Sequence, residues 1–340
     1  MPSCRSIVSA TGTGVVDVMR VLKMFLPGRM QLACVGLIVT VVFMQACATI
    51  ERRAVPVIQY FGISGQALLQ PVQDAGPGLK VMTFNMAHGR GDSFHQLLQS
   101  TDTTLDNLDA IALMLTREQP DVVALQEADG ASFWSGNFNH LAYLADRGPH
   151  SWAVNGRQVQ GAGLSYGTAL LSSLELQQPR AVTFAPSLSM IRKGFVVSTI
   201  DWPGQPGVRV DIVSVHLDFS SEFTRRQQAR ELIAELQGRQ RPVIIMGDLN
   251  TDWQHEESAV RLIAGELNMS AYSPAGQGLE TFPWSGKRLD WILLSAELDF
   301  SSYRVMPEVL SDHRGVIAEI VLKPQRVALF SEPDMARIQD

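Results

Sequence analysis

A chain of 340 residues that is 46% hydrophobic and only 18% charged is suited to one large globular domain with extra segments, and this excludes a wholly disordered chain. The formal net charge of -6, without any run rich in Lys and Arg, argues against a protein that holds nucleic acid by broad counterion release. An acidic protein can still approach phosphates through bound cations.

In chain order, the first feature is the uncharged run from Met30 to Ala48, preceded by Arg20, Lys23 and Arg29 and followed by Glu51, Arg52 and Arg53. Basic residues before an apolar stretch with small residues at its end read as an export signal. The run is also just long enough to cross a bilayer, so an uncleaved anchor is the competing reading. Ala46 followed by Cys47 resembles the lipobox of bacterial lipoproteins, which implies lipidation of Cys47, although Met44 and Gln45 depart from that pattern. Each reading puts the bulk of the chain in the cell envelope, membrane-anchored, periplasmic or extracellular. Residues 1–46 are therefore taken as targeting segment or anchor. All three cysteines, Cys4, Cys34 and Cys47, lie in this region or at its end, so the main domain must fold without an internal disulfide.

Residues 47–78, with Pro56, Pro71, Pro77 and several glycines, read as a linker without regular structure. The folded domain is expected over 79–323, with 324–340 a C-terminal tail. Short runs rich in Val, Ile and Leu predict buried strands at 79–84, 121–126, 169–172, 195–200, 208–215, 243–246, 291–294 and 316–322. Helical spacing predicts helices over 105–118, 223–236 and 256–267. Strands and helices that do not strictly alternate predict two packed mixed sheets with helices outside, rather than one doubly wound sheet.

Nearly every predicted strand ends in a polar residue that is costly to bury without purpose: Asn85, Glu127, His216, and Asp248 with Asn250. Tyr166 precedes another strand, Asp290 opens a late one, and Asp312 with His313 sits in the loop before the last. Singly, these are weak signals. A Glu after a strand is most often a surface or capping residue, Gly-Asp-Leu-Asn is an ordinary turn, and a lone His is usually a satisfied core group. Together they form a set of oxygen ligands and imidazoles. Glu127, Asn85 and Asp312 make an incomplete oxygen shell for a hard divalent ion such as Mg²⁺, while a histidine can take a proton from water or steady a departing oxygen.

These segments, in this order, resemble the endonuclease/exonuclease/phosphatase superfamily, the deoxyribonuclease I-like fold, over about Leu79 to Leu322. The resemblance implies an α/β fold, a four-layered α/β/β/α sandwich with the site at the mouth between the sheets. It implies a hydrolase of phosphoester bonds that uses water and Mg²⁺ or Mn²⁺. Glu127 would bind the metal, helped by Asn85 and Asp312. His313, oriented by Asp290, would act as base or pair with phosphate, and Asp248 is the rival base. Asn250 and His216 would hold phosphate oxygens, and Tyr166 would add a hydrogen bond.

Substrate stays open at this stage, because the same residues serve nucleases, lipid phosphodiesterases and phosphatases and the loops select the leaving group. The expectation is an exported, membrane-associated hydrolase of phosphoester bonds, a phosphodiesterase ahead of a phosphomonoesterase, acting on a lipid headgroup, small molecule or nucleic acid. A secreted nuclease and a tethered phosphate-ligand binding protein are the alternatives. Arg225 and Arg226 read as phosphate contacts or as a solvated helix face. The loop 276–288, with Phe282, Trp284, Lys287 and Arg288, reads as substrate-receiving or as packing. His88, Arg90 and Asp92 read as a mouth lining or as a surface loop.

Overall fold

The structure, a computed structural model, describes residues 50–60, 78–93, 99–187 and 192–324. The uncharged run, Cys47, residues 61–77 of the expected linker and residues 325–340 of the expected tail lie outside the described residues. No helix among the described residues is long and apolar enough to cross a membrane.

Two sheets form the centre. The first runs in the order β1 (Glu51–Ala54), β8 (Gln177–Thr183), β9 (Gly194–Asp201), β10 (Arg209–His216), β11 (Val243–Asp248), β13 (Asp290–Leu294) and β12 (Ser270–Ala271). The second runs β14 (Leu298–Val305), β15 (Val316–Leu322), β3 (Leu79–Asn85), β4 (Val122–Asp129), β7 (Leu164–Ser172), β5 (Trp152–Asn155) and β2 (Ile58–Gln59), with β6 (Val159–Gly161) paired to β7. Each sheet contains one parallel pair, β10 with β11 and β3 with β4, and the remaining pairs are antiparallel. A parallel pair needs a long crossover. Here α1 (Thr101–Glu118) joins β3 to β4, and α3 (Glu222–Leu236) joins β10 to β11. Two further α-helices among the described residues are α2 (His140–Arg147) and α4 (Ala259–Glu266).

Alternation along the strands sorts the side chains into three apolar layers. Val122, Ala124, Val196, Ile212, Ile244 and Ile292 meet between the sheets. Val123 and Leu125 face the other way, onto Leu108, Ile111 and Leu115 of α1 and Leu141 and Leu144 of α2. Val213 and Ile245 pack on Leu232 and Leu236 of α3 and Ile263 of α4. This is the expected four-layered α/β/β/α sandwich. Each fully buried Leu or Ile in these layers stabilises the fold by about 2 kcal/mol relative to exposure.

Local signals set the helix ends. The Ser100 hydroxyl accepts from the Thr103 N–H at 3.1 Å, which caps α1. Gln119 closes that helix in the left-handed region, and Pro120 prevents its continuation.

One expectation is corrected. The prolines of 47–78 predict an unstructured linker, yet Glu51–Ala54 is an edge strand of the first sheet and Ile58–Gln59 an edge strand of the second. The compact unit begins at Ile50. Pro56 sits between the two short strands, where it removes no ladder hydrogen bond.

Candidate active site

Register places the polar strand ends in one row. Across the first sheet Gly194, His216, Asp248 and Asp290 are successive neighbours, because His216 pairs with Gly194 and Asp248, and Asp248 pairs with Asp290. In the second sheet Asn85 pairs with Gln126, next to Glu127. Face-to-face packing then brings the two rows together at the same end of the sandwich. The Asn85 side-chain amide donates to Asp248 Oδ2 across the sheets at 3.0 Å.

Glu127 reaches this mouth through a defect in its strand. Alternation from Val123 and Leu125 would send it toward the helices. Instead the β4–β7 register shifts between Leu125 and Ala128, and Glu127 adopts φ 51°. A bulge of this kind re-aims one side chain. It turns Glu127 inward beside Gln126, and Ala128 returns to the helix side.

There the Glu127 carboxylate meets three basic groups: His88 Nε2 at 3.3 Å, Lys193 Nζ at 3.5 Å and His216 Nε2 at 4.0 Å. Burial alone would raise its pKa, but the charges of His88, Lys193 and His216 outweigh burial and hold the carboxyl down at about 2. His216 Nε2 lies 3.3 Å from Asp248 Oδ2, and His313 Nε2 lies 3.7 Å from the same oxygen. Asp290 Oδ2 grips His313 Nδ1 at 2.8 Å. Burial opposes charge on His313 as well. Asp290, Asp248 and Asp312 overcome it and raise the imidazole to about 10, so it carries a proton at neutral pH. For Asp248, the desolvation that would raise its pKa is outweighed by His313 and His216, and the carboxyl is held well below the usual range.

Asn250 takes a left-handed conformation, φ 51°, and donates its side-chain amide to the Leu217 carbonyl at 3.0 Å, while its N–H donates to Asp248 Oδ1 at 2.9 Å. The Gly-Asp-Leu-Asn segment is thus a turn, and that turn fixes the Asp248 carboxylate at the mouth. Tyr166 is buried edge-on to the His88 ring, 4.9 Å between centroids; burial, with Glu127 and Asp129, pushes its phenol up to about 12. It remains a neutral hydroxyl.

Asp312 forms an ion pair with Arg90 and accepts from the Ser311 hydroxyl at 3.1 Å. Arg225 is engaged by Glu222 and by the carbonyls of Asp218 and Phe219, and Arg226 by Glu257. Both arginines have structural partners. In the loop 276–288, Phe282 packs its ring 4.9 Å from His313, and Arg288 lies over the Trp291 ring. Trp284 is exposed.

Sequence reasoning missed Lys193 and Asp129. Lys193 is almost fully buried and sits 2.9 Å from His216 Nε2. A buried lysine immediately before a strand was the available signal, but burial of a loop residue cannot be read from sequence. Asp129, two residues past Glu127 and fully buried, accepts from Trp134 Nε1 at 2.8 Å and from the Ser135 hydroxyl, and lies 2.6 Å from His88 Nδ1. His88 is thus a mouth residue rather than part of a plain surface loop. Burial would lower its pKa, but Glu127 and Asp129 raise it above the usual value.

The donor set fits a hard divalent cation. Asp248, Asp290 and His313 offer ligand atoms within 4.8 Å of one another, and Asp290 Oδ1 is buried without a hydrogen-bond partner. The expected shell of Glu127, Asn85 and Asp312 is meanwhile held by protein groups, with the Asn85 Oδ1 accepting from the Ala87 N–H at 3.1 Å.

The Endonuclease/Exonuclease/phosphatase family matches residues 82–313, which span every one of these groups. The chain belongs to this family. It is accordingly a hydrolase of the superfamily that acts on phosphoester bonds. Solved structures share this fold over 72–74% of the chain. An endonuclease/exonuclease/phosphatase from Beutenbergia cavernae DSM 12333 is 21% identical, with a TM-score of 0.58 and coverage of 74% of both chains. The human Nocturnin catalytic domain with bound sulfate is 17% identical, with a TM-score of 0.54 over 74% of this chain and 96% of that one. A mannosyl-6-phosphatase from Bacteroides thetaiotaomicron VPI-5482 is 16% identical, with a TM-score of 0.52 over 72% of this chain and all of that one, 100%. Among curated proteins, none matches this chain at a significant level.

Proposed function

We propose that this family member is an exported, membrane-associated phosphodiesterase that depends on a divalent metal, Mg²⁺ or Mn²⁺, and cleaves its substrate by attack of water. The observation that carries the reading is the unbroken series of contacts from Glu127 through His216 and Asp248 to His313 and Asp290, which joins both sheets around one mouth. Glu127, held ionised, would hold the cation in exchange for its contacts to His88 and Lys193, and Asn85 and Asp312 would join it on releasing the Ala87 N–H and Arg90. The metal supplies charge neutralisation on the phosphoryl oxygens and orientation of the leaving group.

The chain's own residues do the rest. Asp248, ionised and fixed by Asn85 and by the Asn250 N–H, takes the proton of the attacking water. His313, protonated and locked by Asp290, bears on a phosphoryl oxygen where negative charge grows in the transition state. His216, Asn250 and the Tyr166 hydroxyl complete the donor set. No Ser or Cys nucleophile is required, because phosphoryl transfer depends on positioning and charge stabilisation more than on covalent help.

The test is hydrolysis of bis(p-nitrophenyl) phosphate by the full-length protein, with and without Mg²⁺. Glu127→Ala and His313→Ala should each lower kcat by about 10³-fold. Turnover that survives both chelation and these substitutions would end the proposal. Plasmid degradation under the same conditions separates a nuclease from a lipid or small-molecule phosphodiesterase.

A further inference from the structure

Large apolar side chains left in water are normally scattered singly over a surface. In this protein they gather at the mouth. Phe133, Phe219, Phe223, Trp284 and Val309 are each more than half exposed, and all five lie in loops, turns or helix starts that leave or enter the site-bearing end of the sheets. Phe133 follows β4, four residues past Asp129, Phe219 lies in the loop after His216, and Phe223 lies in the first turn of α3. Trp284 tops the turn closed by the Phe282–Lys287 bridge, whose Phe282 packs on His313, and Val309 precedes Asp312. Among the other large apolar side chains of the described residues only Leu113, on α1, is more than half exposed.

A second observation, independent of the first, concerns where the chain enters the domain. Glu51 pairs with Thr183, Thr183 with Gly194, and Gly194 with His216. The first residue of the first strand therefore stands in the same row as His216, Asp248 and Asp290. It lies three residues past Ala48, the end of the uncharged run. Three extended residues reach roughly 10 Å, whereas the far end of β10 lies about 25 Å away along the strand at ~3.3 Å per residue. The chain therefore enters the described domain at the catalytic end of the sandwich.

We infer that the mouth faces a lipid bilayer, with the aromatic rim dipping into the headgroup region, and that the substrate is a phosphoester in the headgroup of a membrane lipid. Aromatic rings favour this zone, where one side is apolar and the other wet. The inference rests on the phosphoester-hydrolase reading for what the mouth does, though not for the direction in which it faces.

Two measurements test it on the full-length protein in vesicles of phosphatidylethanolamine and phosphatidylglycerol. The first is quenching of tryptophan fluorescence by acyl chains brominated near the headgroup. All six tryptophans lie at or after Trp134, so no signal comes from the amino-terminal segment. Most of the quenching should vanish in Trp284→Phe. Quenching that is absent, or equal in wild type and variant, overturns the inference and leaves the rim to a soluble partner. The second compares substrates. The double variant Phe219→Ser, Phe223→Ser should hydrolyse vesicle phospholipid at least tenfold more slowly and bis(p-nitrophenyl) phosphate at the wild-type rate. Equal loss on both substrates, or loss on neither, counts against it. A wild-type protein inactive on every phosphodiester overturns the proposed activity, while the quenching result still decides orientation.

Discussion

Replacing Asp290 by Asn removes one charge from the His313 pair and keeps its shape. The carboxylate oxygen lies 2.8 Å from His313 Nδ1 in a fully buried position, and it leads the groups that raise the imidazole to about 10. With the charge centres ~4 Å apart and an effective dielectric of ~20, the lost attraction is on the order of 4 kcal/mol. At about 1.4 kcal/mol per tenfold change, this brings the imidazole down to roughly 7. In the wild type, the protonated form persists through neutral pH and is lost only as the pH rises through about 10. In Asp290→Asn it is lost near neutrality. Histidine NMR titration of the chelated protein reads this directly, and the basic limb of kcat against pH should move down with it, with kcat at pH 8 lower by ~10-fold or more. A His313 resonance that still titrates near 10 in the variant would refute the argument that Asp290 holds the charge.

Glu127 gives the opposite sign. Its carboxyl is depressed to about 2 in the folded chain, so its contribution to stability is complete above the ordinary value near 4.5 and is lost as pH falls toward 2. Chelated wild-type protein should therefore lose stability through that window in urea melts, and Glu127→Gln should show a flatter acid limb. Lys193→Met keeps bulk but removes the charge 3.5 Å from Glu127 and 2.9 Å from His216 Nε2. Steady-state kinetics should show kcat lowered by about 10- to 100-fold with an unchanged far-UV spectrum. Gly247→Ala would drive a methyl group to 1.9 Å from the Val215 carbonyl oxygen. The neighbouring strands must then part, and thermal melts should show a loss of about 3 kcal/mol or more.

Much of the fold was legible because its elements are regular. The runs around Val81, Val123, Ile212 and Ile245 are apolar on consecutive residues, the pattern of strands buried on both faces, and all four are central in the sheets. Elements at the edges were harder to read. The residues of β1 are mostly exposed and polar, so nothing in Glu51–Ala54 marks a strand except the neighbour that Thr183 and its flanks provide. Within the site, Asn85, His216, Asp248, Asp290 and His313 announced themselves as polar residues bordering apolar runs. Lys193 and Asp129 did not, because a charge in a loop or at a frayed strand end is ordinary until its burial is known.

The amino-acid order by itself determined which residues alternate, where helices begin and end, and which polar groups sit at strand ends, since these depend on backbone geometry over a few residues. Only the tertiary structure decided which of those ends meet. The inward turn of Glu127 comes from a register shift against β7, and the charge states of Asp248 and His313 come from partners far apart in the chain. Alignment of Glu51 with the catalytic row is likewise a property of sheet order. Long-range pairing and desolvation set these features, and no window of local sequence contains them.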